Sequence, residues 1–223
     1  MTAQPNPLSQ RAERRVVRAT ILALILPIIV ENILGMLANF VNSAMLGHVD
    51  IVGLLPDFEV SVQGLGASVT GIFWNLFKGI SIGATIMVAQ ADGRGDTDHM
   101  HDVSRQTILS LFFLGLLSGA LLFGFADQFV AFFDSDDPAV ILAATKYLRI
   151  AAFGFPFLGI QHAITGALQG QGDMRTPMLI TTALNIINLA FVGLFIYGPL
   201  DTPLRGALGA AFALVIAQAA SAV

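Results

Sequence analysis

Six long apolar segments, separated by short polar breaks, constrain this 223-residue chain more than any other feature of its sequence. A helix needs about 20 predominantly apolar residues to cross a bilayer. None of the segments shows the strict alternation of a barrel strand, and only helices or closed barrels satisfy the backbone within lipid. The sequence therefore predicts an all-α membrane protein with six transmembrane helices, at residues 19–47, 59–91, 106–126, 139–168, 178–198 and 207–223.

The composition agrees with a chain that folds in lipid. Hydrophobic residues make up 55% of the sequence, charged residues make up 12%, and the mean hydropathy is +0.76. Soluble domains carry about twice that share of charged residues. The net charge is −4 and the arginines are scattered, so the chain lacks the basic stripe that a nucleic-acid-binding protein needs. We therefore expect the lipid bilayer, and no nucleic acid, among its partners.

The positions of the arginines predict the orientation in the membrane, because loops rich in Lys and Arg stay in the cytoplasm. Seven arginines fall in the N-terminal tail and in the second and fourth loops, namely Arg11, Arg14, Arg15, Arg18, Arg94, Arg105 and Arg175. The first, third and fifth loops contain Arg205 and several aspartates, among them Asp50, Asp57, Asp134, Asp136, Asp137 and Asp201. Residues 1–18 are therefore predicted to be a cytoplasmic tail, and residues 19–223 a multi-pass unit of the cell membrane.

The first apolar segment has polar residues along one face. At 100° per residue, Glu31, Gly35, Asn39 and Asn42 fall within about 80° of one another, with Pro27 on the same side. A charge at the centre of the bilayer costs about 2.5–3.5 kcal/mol, so this face is expected to point into a helix bundle or a wet cavity. Pro27 and Gly35 give the helix a place to bend and a surface for close approach.

Two further segments have polar faces. Thr181, Asn185 and Asn188 lie on one broad face of the fifth segment, and His162 lies on a polar face of the fourth. Together the three faces predict a shared polar interior. Polar residues can instead act as contacts between helices, at about 0.6 kcal/mol each. A functional role is favoured for the ionisable Glu31, whereas His162 alone is more readily explained as a packed, hydrogen-bonded histidine than as a proton relay.

Five short glycine-containing segments lie in this order between Leu24 and Gln218: "VNSAMLGH", "GISIGATIMVAQADGRGD", "GALQGQGDMRTPM", "NIINLAFVGLFIYG" and "LRGALGAAFALVIAQ". Together they resemble the multidrug and toxic compound extrusion (MATE) family. Its members have two repeated six-helix lobes around a central cavity. They export organic, often cationic and amphipathic compounds in exchange for Na⁺ or H⁺. The resemblance implies a chain that is the N-terminal lobe of such a transporter, is not an enzyme, needs no cofactor beyond the coupling ion, and works with a C-terminal lobe or a second copy.

The resemblance also implies where the cation or proton site of the first lobe would lie, namely at Asn42, Asn188, Val192 and Leu214. An acidic residue of many members is Asn42 here, and two polar positions have become Val192 and Leu214. An amide does not titrate near neutral pH and offers a cation no compensating charge. We therefore expect this lobe to lack the usual coupling site. The coupling carboxylates would then lie in the second lobe, or Glu31 would substitute for them.

Two alternatives remain open. Residues 92–102, "DGRGDTDHMHD", concentrate carboxylates and imidazoles that suit a hard or borderline metal, as in a membrane-embedded metal-dependent enzyme. Their spacing fits neither an EF-hand nor a metalloprotease motif, so an ordinary solvated loop is favoured, with no metal site and no catalytic residue. The second alternative is a flippase of related architecture that moves lipid-linked sugars.

Overall fold

The computed structural model describes residues 7–47, 58–133, 137–197 and 206–222, and these residues form helices without any strand. The helices are α1 (Pro7–Leu46), α2 (Phe58–Gly93), α3 (Thr97–Gly124), α4 (Ala126–Ala131), α5 (Pro138–Ala152), α6 (Phe155–Gly170), α7 (Arg175–Tyr197) and α8 (Ala207–Ser221). In this part of the chain four helices are long and apolar enough to cross a membrane, and the count is five if the bent pair α5–α6 is taken as one span. The predicted all-α membrane fold is confirmed.

Each of the six predicted segments corresponds to a helix or a pair of helices, but several boundaries differ. The helix α1 begins at Pro7, inside the predicted tail, where proline suits the first helical turn. The helix α8 is apolar but has only 15 residues, fewer than a straight span needs. The limits of the tail and the lobe, and the orientation in the membrane, stay predictions. Some of the residues on which these predictions rest lie outside the described part of the chain, namely 1–6, Asp50, Asp57, Asp134, Asp136, Asp201 and Arg205.

The prediction that residues 92–102 form a loop is wrong. The helix α2 continues to Gly93 and α3 already begins at Thr97, which leaves a connection of three residues. Asp96 ends this connection as the N-cap of α3, where its carboxylate accepts a hydrogen bond from the His99 backbone N–H at 3.0 Å. A carboxylate at this position satisfies a helix N–H that has no partner within the helix. Acidic residues that suggested a metal loop therefore include a helix cap.

The predicted continuous helix over residues 139–168 is also wrong, because the structure breaks it into α5 and α6 with a bend of 53°. Pro156 lies in the first turn of α6, where it has no N–H to donate and its ring would clash with a continuing helix. Just before the break, the Gly154 N–H donates to the Ala151 carbonyl at 2.9 Å, which tightens the last turn of α5.

A short helix, α4, lies within the predicted third loop. Ala126 and Val130 are fully buried in the main core, whereas Asp127 is exposed. The Asp127 carboxylate pairs with the Arg149 guanidinium of α5 at 2.9 Å. The helix α4 therefore ties the end of α3 to α5 through both apolar contacts and an ion pair.

The helices pack around two apolar clusters. The main cluster contains residues of all the helices from α2 through α6 and of the start of α8. The smaller cluster joins α1, α7 and α8 around Leu46 and Val192. Close contact between α2 and α6 requires Gly166, because a Cβ atom there would lie 2.6 Å from the Ser81 hydroxyl oxygen. Small residues at helix crossings are typical of membrane proteins, where packing rather than water exclusion holds helices together. The helix α8 contributes alanines to both clusters and so connects them.

Candidate functional site

Two side-chain hydrogen bonds join the polar faces of α1 and α7. The Asn42 amide nitrogen donates to the Asn188 amide oxygen at 2.8 Å, and both side chains are buried, with 9% and 5% of their surface exposed. The Thr181 hydroxyl donates to the Glu31 carboxylate at 3.1 Å. We call these four residues the α1–α7 seam. Glu31 precedes Asn42 along α1, and their partners Thr181 and Asn188 follow one another in the same order along α7. The two helices therefore run in the same direction, as the first and fifth spans of a lobe should.

The seam has unused capacity for hydrogen bonds. The amide oxygen of Asn42 is buried and has no hydrogen-bond partner, and the same holds for the amide nitrogen of Asn185 on α7. An unpaired buried polar group costs about 1–3 kcal/mol, which a ligand or a water molecule would recover. A hard cation needs several oxygen ligands, preferably including carboxylates. The amide groups of Asn42, Asn185 and Asn188 therefore suit a neutral hydrogen-bonding ligand better than a bare ion.

Glu31 gives the seam its negative charge. Its side chain is half-buried, and within the described residues the ion pair present is Arg149–Asp127, so Glu31 has no cationic partner there. A carboxylate held at membrane depth without a counter-charge is costly. A positively charged group that binds beside it would lower that cost.

Val192 and Leu214, the other two positions of the implied cation or proton site, have apolar side chains in apolar surroundings. Val192 lies one turn beyond Asn188 on α7 and is fully buried beside Leu46 and Ala213. Leu214 is half-buried on α8. These two side chains therefore contribute packing rather than oxygen ligands.

The structure places the remaining predicted residues differently from one another. Pro27 is buried, Gly35 is half-buried with open space where a side chain would be, and Asn39 is exposed. His162 is buried against α2, with its ring 4.8 Å from that of Trp74 and 6.4 Å from that of Phe77, and its Nε2 has no hydrogen-bond partner. His162 thus lies in the contact between α2 and α6, apart from the seam.

The sequence reasoning missed Glu59, a buried carboxylate at the start of α2. It accepts a hydrogen bond from the Ala207 N–H and so caps the first turn of α8. Gly206 precedes that turn with a φ of 72°, and a side chain there would collide with the Glu59 carboxylate. The only local signal was the absence of a capping side chain before α8, which does not say where the cap comes from.

The connection between α6 and α7 is a capping loop. The Asp173 carboxylate accepts hydrogen bonds from the backbone N–H groups of Arg175 and Thr176 at 3.0 and 3.1 Å and from the Thr176 hydroxyl at 2.6 Å. These bonds, chiefly those from Thr176, lower the pKa of Asp173 below its ordinary value. Gly172, with a φ of 81°, makes the turn that brings Asp173 into position. This geometry gives the loop a structural role, because it caps the first turn of α7.

The model of the MatE family matches residues 27–194, three quarters of the chain. The chain belongs to the MatE family. Members of this family are transporters and not enzymes, so the metal-dependent enzyme is not favoured, and neither is the flippase. In the described residues, no three His, Cys, Asp or Glu side chains come together in a group that could hold a metal ion.

Individual relatives show how much of a MatE protein this chain represents. It is 27% identical over 205 residues to a probable multidrug resistance protein NorM of Thermotoga maritima, covering 91% of this chain and 42% of the relative. It is 24% identical, over an alignment of 226 positions, to a probable multidrug resistance protein YoeA of Bacillus subtilis, covering 99% of this chain and 46% of the relative. A crystal structure of MATE in complex with MaD3S superposes with a TM-score of 0.80 at 19% identity, covering 91% and 43%. The MatE chain thus has the fold of one lobe and spans less than half the length of these proteins.

Proposed function

We propose that this chain is the N-terminal lobe of a secondary-active exporter of organic, cationic amphipathic compounds, and that the α1–α7 seam lines the path of its substrates. The observation that carries the proposal is the pair of bonds Asn42–Asn188 and Thr181–Glu31, which line up polar groups inside an otherwise apolar lobe. The names of the relatives, probable multidrug resistance proteins, support this substrate class. The distribution of arginines supports a cell-membrane protein with a cytoplasmic N-terminus.

Glu31 is the group that recognises a cationic substrate in this proposal. Its carboxylate accepts one hydrogen bond, from Thr181, and keeps acceptor positions for a second donor. At an effective dielectric of about 20, a cation 4 Å away would interact with it by roughly 4 kcal/mol before any cost of desolvation. The amide groups of Asn42 and Asn185 would bind polar atoms of the same substrate further along the helices.

The energy for export comes from a Na⁺ or H⁺ gradient in this proposal, through residues that mostly lie outside this chain. Asn42 is neutral, and the positions of Val192 and Leu214 offer no oxygen ligands. Coupling carboxylates would then belong to a C-terminal lobe or to a second copy of this chain, which moves against this lobe to alternate access to the cavity. Within the seam, Glu31 is the group able to bind either a proton or the substrate cation.

The test measures export and binding of one cationic dye, ethidium. Cells that produce the 223-residue chain, Glu31→Gln or Thr182→Val are loaded with ethidium, and its loss is followed by fluorescence. Thr182 is the matched control, because its hydroxyl bonds to the Met178 carbonyl of its own helix and not to α1. Binding of ethidium to the purified proteins is measured by fluorescence polarisation, so that recognition is tested even if export needs the second lobe.

We expect wild-type protein and Thr182→Val to bind ethidium alike, and Glu31→Gln to bind it at least about ten-fold more weakly, a difference of about 1.4 kcal/mol. Gradient-dependent export by the chain alone, lost in Glu31→Gln, would support Glu31 as a substrate-binding residue and would show that export does not need a C-terminal lobe. Equal binding of ethidium by all three proteins would refute the assignment of Glu31.

A further inference from the structure

A groove of about 440 Å³ lies on the outside of the bundle, where α3 passes the break between α5 and α6. Its lining consists of small or apolar residues, among them Gly119, Ala120, Phe123, Gly124, Phe153 and Pro156. Several of them are exposed, so the groove opens to the surroundings rather than to the interior. The bend at Pro156 and the open space at Gly124, where a Cβ atom would meet nothing within 4 Å, leave room for the groove, whereas at Gly119 the Ala152 carbonyl would lie 2.6 Å from a Cβ atom and α3 packs closely on α5. Its volume is within the range of ligand sites in proteins, about 300–1,000 Å³.

Two opposite charges lie at one end of this groove. Phe123 and Phe153 meet edge to face at 5.8 Å, and the Arg149 guanidinium carbon lies 6.0 Å from the centre of the Phe123 ring. Arg149 pairs with Asp127, yet their side chains are 44% and 64% exposed. Guanidinium has five N–H donors and a carboxylate has about four acceptor positions, so most of their hydrogen-bonding capacity is unused by the single bond between them.

We propose that the groove binds one acyl chain of a phospholipid and that Arg149 and Asp127 bind its phosphoethanolamine headgroup. At membrane depth an open groove is surrounded by lipid, and an acyl chain would supply the dispersion contacts that the exposed apolar side chains of its lining otherwise leave unmade. Arginine binds phosphate with two parallel hydrogen bonds. The primary ammonium of the headgroup donates to Asp127. One positive and one negative group on the protein thus match one negative and one positive group on the lipid.

The charge pattern selects among common phospholipids. Phosphatidylcholine carries a quaternary amine that cannot donate a hydrogen bond to Asp127. Phosphatidylglycerol carries no positive group, and its phosphate would be repelled by that carboxylate. The groove shares no residue with the α1–α7 seam, so lipid binding there is separate from the proposed transport path and does not depend on it.

The experiment is native mass spectrometry of the full, delipidated chain with equal concentrations of palmitoyl-oleoyl phosphatidylethanolamine, phosphatidylcholine and phosphatidylglycerol. Ala120→Phe fills the groove from an exposed position on α3. Leu121→Phe is the matched control, because Leu121 is exposed beside it and does not line the groove. Asp127→Asn and Arg149→Gln remove one charge each from the exposed end. Circular dichroism confirms that each variant keeps its helices.

We expect wild-type protein and Leu121→Phe to retain phosphatidylethanolamine about ten-fold more than the other two lipids, as a charged hydrogen bond of about 1.4 kcal/mol would give. Ala120→Phe should lose that retention. Asp127→Asn should prefer phosphatidylethanolamine over phosphatidylcholine less than the wild type does, because its amide oxygen still accepts a hydrogen bond but carries no charge, and Arg149→Gln should bind every phospholipid more weakly. Equal retention of the three lipids by wild-type protein, or retention by Ala120→Phe equal to that by Leu121→Phe, would overturn the proposal. Asp127→Asn decides the matter if Ala120→Phe fails to fold, since an unchanged lipid preference there contradicts the headgroup assignment.

Discussion

The hydrogen bond from Ala207 to Glu59 predicts that Glu59→Leu lowers the free energy of unfolding by about 2 kcal/mol. Glu59 is buried and Ala207 is almost fully buried, so water does not replace the bond. Hydrogen bonds to charged groups contribute about 1.5–3 kcal/mol, and lost helix caps cost about 0.5–2 kcal/mol. Removal of a buried carboxylate from the lobe returns part of its desolvation cost, which brings the net loss to the middle of these ranges.

The assay is reversible unfolding of the purified chain in mixed micelles, followed by circular dichroism, with hydrogen exchange measured at the first turn of α8. Glu59→Gln should lose about half as much as Glu59→Leu, because its amide oxygen still accepts the bond but carries no charge for the helix dipole. Gln63→Leu is the control from the next turn of α2. It loses only a 3.3 Å bond from Ser43 between neutral groups, worth about 0.6 kcal/mol or less.

Faster exchange at Ala207 in both Glu59 variants, but not in Gln63→Leu, would confirm the cap. Unfolding of Glu59→Leu at the same denaturant concentration as the wild type, with unchanged exchange at Ala207, would refute the reasoning. A loss in Gln63→Leu as large as that in Glu59→Leu would show instead that any change in this part of α2 disturbs the lobe.

Two further predictions concern helix packing and capping. Gly166→Ala should lower the free energy of unfolding by about 1–3 kcal/mol, because its Cβ would lie 2.6 Å from the Ser81 hydroxyl oxygen. Gly83→Ala is the control, because Gly83 has open space around it, and it should leave the stability unchanged or raise it. Thermal unfolding of the two variants compares them. The lowered pKa of Asp173 means that its cap stabilises α7 above the ordinary aspartate pKa and is lost as the pH falls through the lowered value. Asp173→Asn should therefore reduce the loss of thermal stability between pH 6 and pH 3, and an unchanged loss would count against the cap.

The helices were predictable from the sequence because long apolar segments leave a chain in lipid few alternatives. Pro156 was visible in the sequence, but the break was not predicted, because a predominantly apolar segment of 30 residues, 139–168, also fits a single tilted helix. Asp96 carried two signals at once, since an aspartate before a helix and an aspartate in a cluster of metal ligands look alike until the helix boundary is known. The boundary of α3 decided between them.

The polar faces were predictable from periodicity, but their partners were not. Helical spacing places Asn42 and Glu31 on one side of α1, and in the structure both side chains form hydrogen bonds with α7. The same spacing places His162 on an inward face of its helix without saying which neighbour it meets, and that neighbour is α2. Glu59 caps a helix 148 residues further along the chain, so no local pattern could have revealed the contact.

The weak attachment of α1 to the rest of the lobe bears directly on the proposed mechanism. The helix packs mainly on α7, and large apolar residues such as Met36 and Phe40 remain more than two thirds exposed. The two seam bonds contribute about 1 kcal/mol each by the usual measure of hydrogen bonds. Conformations that exchange during transport must differ by only a few kcal/mol, or one of them would hardly be populated. Because opening the seam costs an energy of that size, and separating α2 from α6 would break the main core, we expect the moving boundary of this lobe to lie along α1.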